Sequence, residues 1–464
     1  MVRRAGYVTF ASLAVMLAAG TARAQTPPAD APPPEAPPPA ADAPVAAPPL
    51  AVPAEMPAPP APAPAPLSPA PTPVAPSQLK IDIPNGTNIR LGVLFQPAYQ
   101  VAGSVSRNGY SEDFFMRRTR ILIGGSIMGA FDYFFDTDFA NIGLSANSPG
   151  TMTDAMGMSS ATSNTRKMIP GMNIQDAFVT WKSLGDAFKV DVGYMLPPLS
   201  HNAIQGATTL YGWDYFAFTF LHNVGFSQNG AATAANPALA GVIAGTTSVG
   251  RDMGVQVRGL VGDGKLEYRL GGFQGIRSVT NADDPTSSNA PRVAARLQLN
   301  LLDAESSFFY AGSYLGKKKI ASIGASFDYQ KAPTSSSFDD AYRTWDVDAF
   351  VDMPAGPGVF TFQGDFIGYH GGLVIPGLPK NTIGSEVGYL IGDVNISPIV
   401  RYERRWGGQV EGTDIPAIDR YALGVGFWPF GHSANVKVFY SRIQQENAMH
   451  GANQVNAQLQ LYYY

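Results

Sequence analysis

The chain has no cysteine among its 464 residues, which excludes a disulfide framework, a thiolate metal site and a cysteine nucleophile. It also lacks a basic surplus: 32 Lys and Arg stand against 36 Asp and Glu, a formal net charge of -4. Nucleic-acid-binding surfaces concentrate basic charge, so no nucleic-acid partner is expected. Histidine is scarce, with five residues (His201, His222, His370, His432, His450), all read as loop or turn residues. With no H-E-x-x-H or G-x-S-x-G pattern and no metal-ligand spacing, no catalytic residue, metal or cofactor is expected. Nor is there an apolar run of the roughly 20 residues a membrane-spanning helix needs.

What the chain does have is unevenly distributed. Residues 1–24 carry Arg3 and Arg4, an apolar core from Val8 to Ala19, and Ala22-Arg23-Ala24 before Gln25, the pattern of a cleaved signal peptide. Of the 39 prolines, 22 lie between Pro27 and Pro76. Residues 25–78, almost all Pro and Ala with four acids and no base, are expected to form a disordered or extended periplasmic segment, since such a composition cannot bury a core. The default role of such a segment is a spacer; the sharper one is a tether that contacts peptidoglycan. The folded part is then 79–464.

There the apolar period is two. Ile89, Leu91, Val93, Phe95, Tyr99 and Val101 share one face; Val293, Ala295, Leu297, Leu299 and Leu301 share another, alternating with Arg292, Arg296, Gln298 and Asn300. The same alternation recurs at Phe131–Phe139, Trp345–Val351 and Val455–Tyr463. Strands of about ten residues joined by alternating short and long links are the signature of a transmembrane β-barrel. Short links are read at 128–130, 183–187, 262–264, 354–357 and 392–395, and long ones at about 141–172, 196–250, 277–290, 370–383 and 407–418. The fold class is therefore all-β: a transmembrane antiparallel barrel of 16 strands, provided 303–319 is one long turn. With both termini periplasmic, the short links are periplasmic turns and the long ones outer loops. Trp181, Trp345, Trp406 and Trp428 fall at strand ends, suiting interfacial aromatic girdles.

Parity also sorts the charges. If Thr119, Ile121 and Ile123 face lipid, Arg118 and Arg120 face the lumen, where charge is tolerated and tunes selectivity. Arg90, Arg258, Arg296, Arg401, Asp132, Asp136 and Asp138 take the same inward parity. The two signs nearly balance, so no strong anion field is expected. For any one arginine, a salt bridge to a neighbouring wall carboxylate competes with a transport role. Lys317, Lys318 and Lys319 are read as a solvated turn on the periplasmic side.

The stretch Asp113-Phe114-Phe115-Met116-Arg117-Arg118-Thr119-Arg120, followed by Phe131-Asp132-Tyr133-Phe134-Phe135-Asp136-Thr137-Asp138, resembles the second and third strands of the phosphate-selective porin family. So do Gln175–Trp181, Arg251–Gln256 and Arg401-Tyr402-Glu403. The resemblance implies a sixteen-stranded outer-membrane porin, usually a homotrimer, with an arginine pair at the pore constriction; that role carries over to Arg117 and Arg118. The family's third-loop lysine does not carry over. Between Leu196 and Gly250 there is no Lys or Arg, but there are Tyr211, Trp213, Asp214, Tyr215 and Phe216. A tight phosphate site needs converging cationic donors, so passage of small anions or mixed hydrophilic solutes is expected in place of phosphate specificity. The third-loop aromatics are read as packing groups, and Tyr462–Tyr464 as an assembly signal with Tyr464 one step off lipid-facing parity.

The sequence thus points to a passive channel in the Gram-negative outer membrane, surrounded by lipid. Arg117, Arg118 and Arg120 are the candidate anion contacts, with Tyr211, Trp213 and Asp214 at the constriction. The alternative is an envelope-tethering barrel acting through the Pro-rich tail.

Overall fold

The computed structural model describes residues 79–103, 110–144, 172–182, 184–217, 250–275, 290–331, 341–370, 381–410, 413–448 and 450–464. The expectations for the leader 1–24 and the segment 25–78 lie outside the described residues.

Nineteen strands follow in chain order: β1 (Leu79–Ile83), β2 (Thr87–Gly103), β3 (Tyr110–Ile127), β4 (Phe131–Asp138), β5 (Asn173–Trp181), β6 (Lys189–Met195), β7 (Asp252–Val261), β8 (Leu266–Phe273), β9 (Arg292–Asn300), β10 (Ile320–Gln330), β11 (Tyr342–Ala355), β12 (Gly358–His370), β13 (Asn381–Ile391), β14 (Ile396–Arg405), β15 (Gly408–Val410), β16 (Thr413–Ile415), β17 (Ile418–Phe427), β18 (Ala434–Gln445) and β19 (Ala452–Tyr463). From β2 to β14 and from β17 to β19 each strand pairs antiparallel with the next, β14 with β17, and β19 returns to β2. That ring is a closed sixteen-stranded barrel, so the backbone groups of the wall are paired around the circumference with no free sheet edge. β15 and β16 form a separate hairpin within a long loop, and β1 folds back on β2.

The wall is apolar outside and polar inside. On β17, Tyr421, Leu423, Val425 and Phe427 are exposed while Arg420, Ala422, Gly424 and Gly426 are buried. On β10, Ile323 and Phe327 are exposed while Ser322, Ser326, Asp328 and Gln330 are buried. Leu423 is 60% exposed and Gln298 is 0% exposed, the reverse of a water-soluble protein, in which large apolar groups are covered. A barrel of this polarity fits a hydrocarbon surround and a hydrated or filled interior.

The short links lie together at one end of the barrel, as the sequence predicts, the long loops fall largely outside the described residues, and 301–319 is a single connection containing no strand. Two expectations are corrected. Trp428 lies at a strand end, but its ring points inward, 2% exposed and stacked on Tyr211; Trp181 and Trp345 do lie on the outer face. His370 closes β12 and is not a loop residue.

Candidate functional site: the third loop across the lumen

Arg117 and Arg118 sit on β3 opposite Pro97 of β2. The register runs Gln96 to Arg118 and Pro97 to Met116, leaving Arg117 as an extra residue in β3. Proline has no N–H to give the ladder and is tolerated where pairing is interrupted. The bulge changes the parity of β3: Asp113 and Phe115 point inward above it, Arg118, Arg120 and Leu122 below it. Alternation counted back from Arg120 and Arg118 would send Arg117 outward. The bulge instead turns it toward the lumen beside Arg118.

Both arginines meet Asp214 of the third loop, the segment between β6 and β7. The Arg117 Nε donates to Asp214 Oδ2 at 2.7 Å, and the Arg118 Nη2 to Oδ1 at 2.5 Å. Arg118 also donates to Gln96 Oε1 at 2.9 Å and lies over the Tyr215 ring. Burial alone would raise the Asp214 pKa; the guanidinium groups of Arg117 and Arg118 override it and hold the carboxyl well below the usual carboxylate range.

The loop is fixed on the opposite wall too. Arg401, paired with Glu386 at 2.6 Å, donates to the main-chain oxygens of Asp214 and Tyr215 at 2.7 and 3.1 Å. Lys437 donates to the carbonyls of Leu210 and Gly212 at 2.6 and 2.9 Å. Tyr211 and Trp213 pack with Trp428, Ile399 and Phe439 in one buried cluster. Two inward positions of β13 admit the loop because they are glycine: a Cβ on Gly384 would lie 2.4 Å from the Phe216 ring, and one on Gly388 would lie 2.5 Å from that of Tyr211. The described aromatics of the loop are thus packing groups, as expected, and its described part, 196–217, crosses the lumen from the β2–β3 wall to the β13–β14 wall.

The other inward charges are largely paired along the wall. Arg120 holds Asp136 and Asp138 at 3.0 and 2.8 Å, and Arg258 holds Asp191 at 2.8 Å. Arg296 bonds Asp348, and Asp132 bonds Lys182 at 2.6 Å near the short-turn mouth. Arg90 has no carboxylate within ion-pair distance among the described residues. Of the buried charged side chains described, fifteen are carboxylates and eleven are Arg or Lys.

A second insertion had only a faint sequence signal. The turn 301–319 enters the lumen from the short-turn end and docks on the third loop through Gly206 N to Tyr310 O (3.0 Å), Tyr310 N to Ile204 O (3.3 Å) and Gly312 N to Thr209 O (3.0 Å). His201 lies between the rings of Tyr310 and Phe350 and bonds Glu305 at 2.9 Å. Arg269 donates to the Phe308 carbonyl, and Phe308 packs on Phe178. The signal was Phe308-Phe309-Tyr310, three aromatics where a solvated turn would carry polar groups. Lys317 and Lys319 remain exposed at its base.

The turn between β17 and β18 braces this insertion. His432 Nε2–H donates to Ser313 O at 2.8 Å, its Nδ1 is buried without a partner, and its ring meets Trp428 edge-on. Burial pushes its pKa down to about 4, helped by Lys437 and Lys317 against the Ser313 bond. A free histidine titrates near 6.5, so between about 6.5 and 4 the released ring binds a proton that the packed ring refuses. The contact therefore weakens as pH falls through that window and no further below it. We expect the fluorescence of the Trp428 region to report an acid transition there, absent in His432→Gln.

Solved structures similar to the chain include OprB of Pseudomonas putida, 9% identical over 82% of this chain and 94% of that one, with a TM-score of 0.52. The outer membrane channel DcaP of Acinetobacter baumannii is 12% identical over 82% and 99%, with a TM-score of 0.47. An anion-selective porin from Comamonas acidovorans is 9% identical over 81% and 100%, also at 0.47. No protein-family model and no curated protein matches the chain. The likeness is one of fold: the chain has the barrel architecture of outer-membrane porins, and phosphate selectivity is no part of that likeness.

Proposed function

We propose that the protein is a passive outer-membrane channel for small hydrophilic solutes, narrowed where the third loop crosses the lumen. The observation that carries this reading is the closed barrel, apolar outside and charged inside, with its third loop pinned between Arg117/Arg118 and Arg401/Lys437. Tyr211, Trp213 and Asp214 form the constriction, and Arg117, Arg118 and Arg120 are its cations, held by Asp214, Asp136 and Asp138. Arg258, Arg296, Arg401, Asp136 and Asp138 shape the field along the lumen, and Arg90 and Asp132 that of the short-turn mouth. Because Asp214 already occupies the arginine pair and carboxylates outnumber bases among the buried groups described, the reading is of mixed small solutes and not of phosphate specificity. An exported chain, a homotrimer in lipid, short turns facing the periplasm and a peptidoglycan contact for the Pro-rich segment complete the proposal.

Proteoliposomes holding the folded full-length chain are expected to swell in isosmotic pentose and to swell markedly more slowly in a trisaccharide. Absence of swelling in every solute would overturn the channel reading.

A further inference from the structure

A polar cavity of about 360 Å³ opens at the short-turn end of the barrel, away from the third loop. Asn88 and Arg90 of β2, Gly125 and Ser126 of β3, Asp132 and Tyr133 of β4, Lys182 and Tyr464 are among its lining residues. We propose that it is a binding site for a small oxyanion, a carboxylate or a phosphate group, held by Arg90.

Three buried polar atoms of this lining have no hydrogen-bond partner: Asn88 Oδ1, Arg90 Nε and Ser126 Oγ. They converge on one cavity, whereas Arg120, Arg258, Arg296 and Arg401 each hold a wall carboxylate. A buried donor left unpaired is costly, more so for a charged group, and a guanidinium presents paired N–H groups that match the oxygens of a carboxylate or phosphate. Ser126 Oγ supplies a second donor. Asn88 Oδ1 accepts from a hydroxyl of the ligand, such as that of a monoprotonated phosphate or a hydroxy acid. The Tyr133 hydroxyl donates to the main-chain oxygen of Asn88 at 3.2 Å and holds that strand end in place. Tyr464 closes one side, its ring edge-on to Phe134 and its hydroxyl seated over Gly124. Lys182 adds a second cation that Asp132 offsets at 2.6 Å, so the side chains carry one net positive charge. Such a site suits a weakly held, singly charged anion, and it does not depend on the barrel conducting.

The test uses the folded full-length chain in detergent, inorganic phosphate as the probe, and the phosphorus-31 linewidth as readout. The wild type is expected to broaden the phosphate line, and acetate to reverse the broadening. Loss of the charge-assisted bond in Arg90→Gln is expected to weaken binding about tenfold, whereas Lys319→Gln, an equal charge change on the exposed turn, leaves it intact. Should Arg90→Gln fail to show the heat-modifiable gel migration of a folded barrel, Ser126→Ala serves in its place, with a severalfold loss expected. Unchanged broadening in a folded Arg90→Gln or Ser126→Ala, an equal loss in Lys319→Gln, or failure of acetate to compete would each overturn the assignment.

Discussion

Replacing residues 304–318 with an Asn-Gly link is expected to raise the single-channel conductance severalfold while the barrel still folds. The wall does not need the removed segment. Main-chain bonds from Leu301 N to Ala321 O and from Asp303 N to Lys319 O already continue the β9–β10 ladder to its end, and Asn-Gly is a favoured two-residue hairpin turn. What the segment supplies is bulk in the lumen: Phe308 on Phe178, Tyr310 on His201, Ser313 on Asp352. Its docking on the third loop rests on three main-chain hydrogen bonds, each worth about 1 kcal/mol, together with the buried His201–Glu305 pair. The variant therefore both empties the short-turn half of the lumen and frees the third loop on one side. Conductance equal to wild type would show that the segment lies outside the ion path.

Asp214→Ala is expected to move the reversal potential in asymmetric salt toward anions and to make the open-channel current noisier. Removing one partner of a buried ion pair leaves the other charge uncompensated, a loss of about 3–5 kcal/mol. Here two guanidinium groups lose their shared carboxylate at once, which undocks the loop from the β2–β3 wall and exposes Arg117 and Arg118 to the passage. The pH dependence follows from the depressed pKa of Asp214. Its contribution is complete above the ordinary aspartate value, about 3.9, and is lost only as pH falls through the lower value it has when docked. Between pH 8 and 4 the wild-type reversal potential is accordingly expected to show no step from this group. Asp214→Ala with wild-type ion preference would remove the arginine pair from the selectivity-determining region.

The wall was legible in the sequence because membrane barrels obey a period of two at nearly every strand residue, and an apolar set such as Tyr421, Leu423, Val425 and Phe427 cannot be mistaken once it recurs. The inward placement of Arg118, Arg120 and Arg258 followed from the same parity. Arg117 did not: its orientation depends on a bulge opposite Pro97, a local irregularity that counting by twos passes over. The resemblance to phosphate-selective porins named the arginine pair, but nothing in the spacing revealed that Asp214 neutralises it. That contact spans about a hundred residues of chain and depends on how the third loop folds. Trp428 shows the limit of positional reasoning: a tryptophan at a strand end suits an interfacial girdle, yet its parity with Gly424 and Gly426 turned it inward onto Tyr211. The sixteen-strand count takes 303–319 as one turn, and no strand forms there, but its aromatic centre, Phe308-Phe309-Tyr310, is a sign of an inward fold that the period of two does not capture.

We propose above that this barrel conducts ions through a lumen narrowed by its third loop. Planar-bilayer recording of the purified, folded full-length chain tests it most directly. Discrete conductance steps with only a weak preference between cation and anion are predicted; a folded protein that inserts and gives no steps would contradict the account.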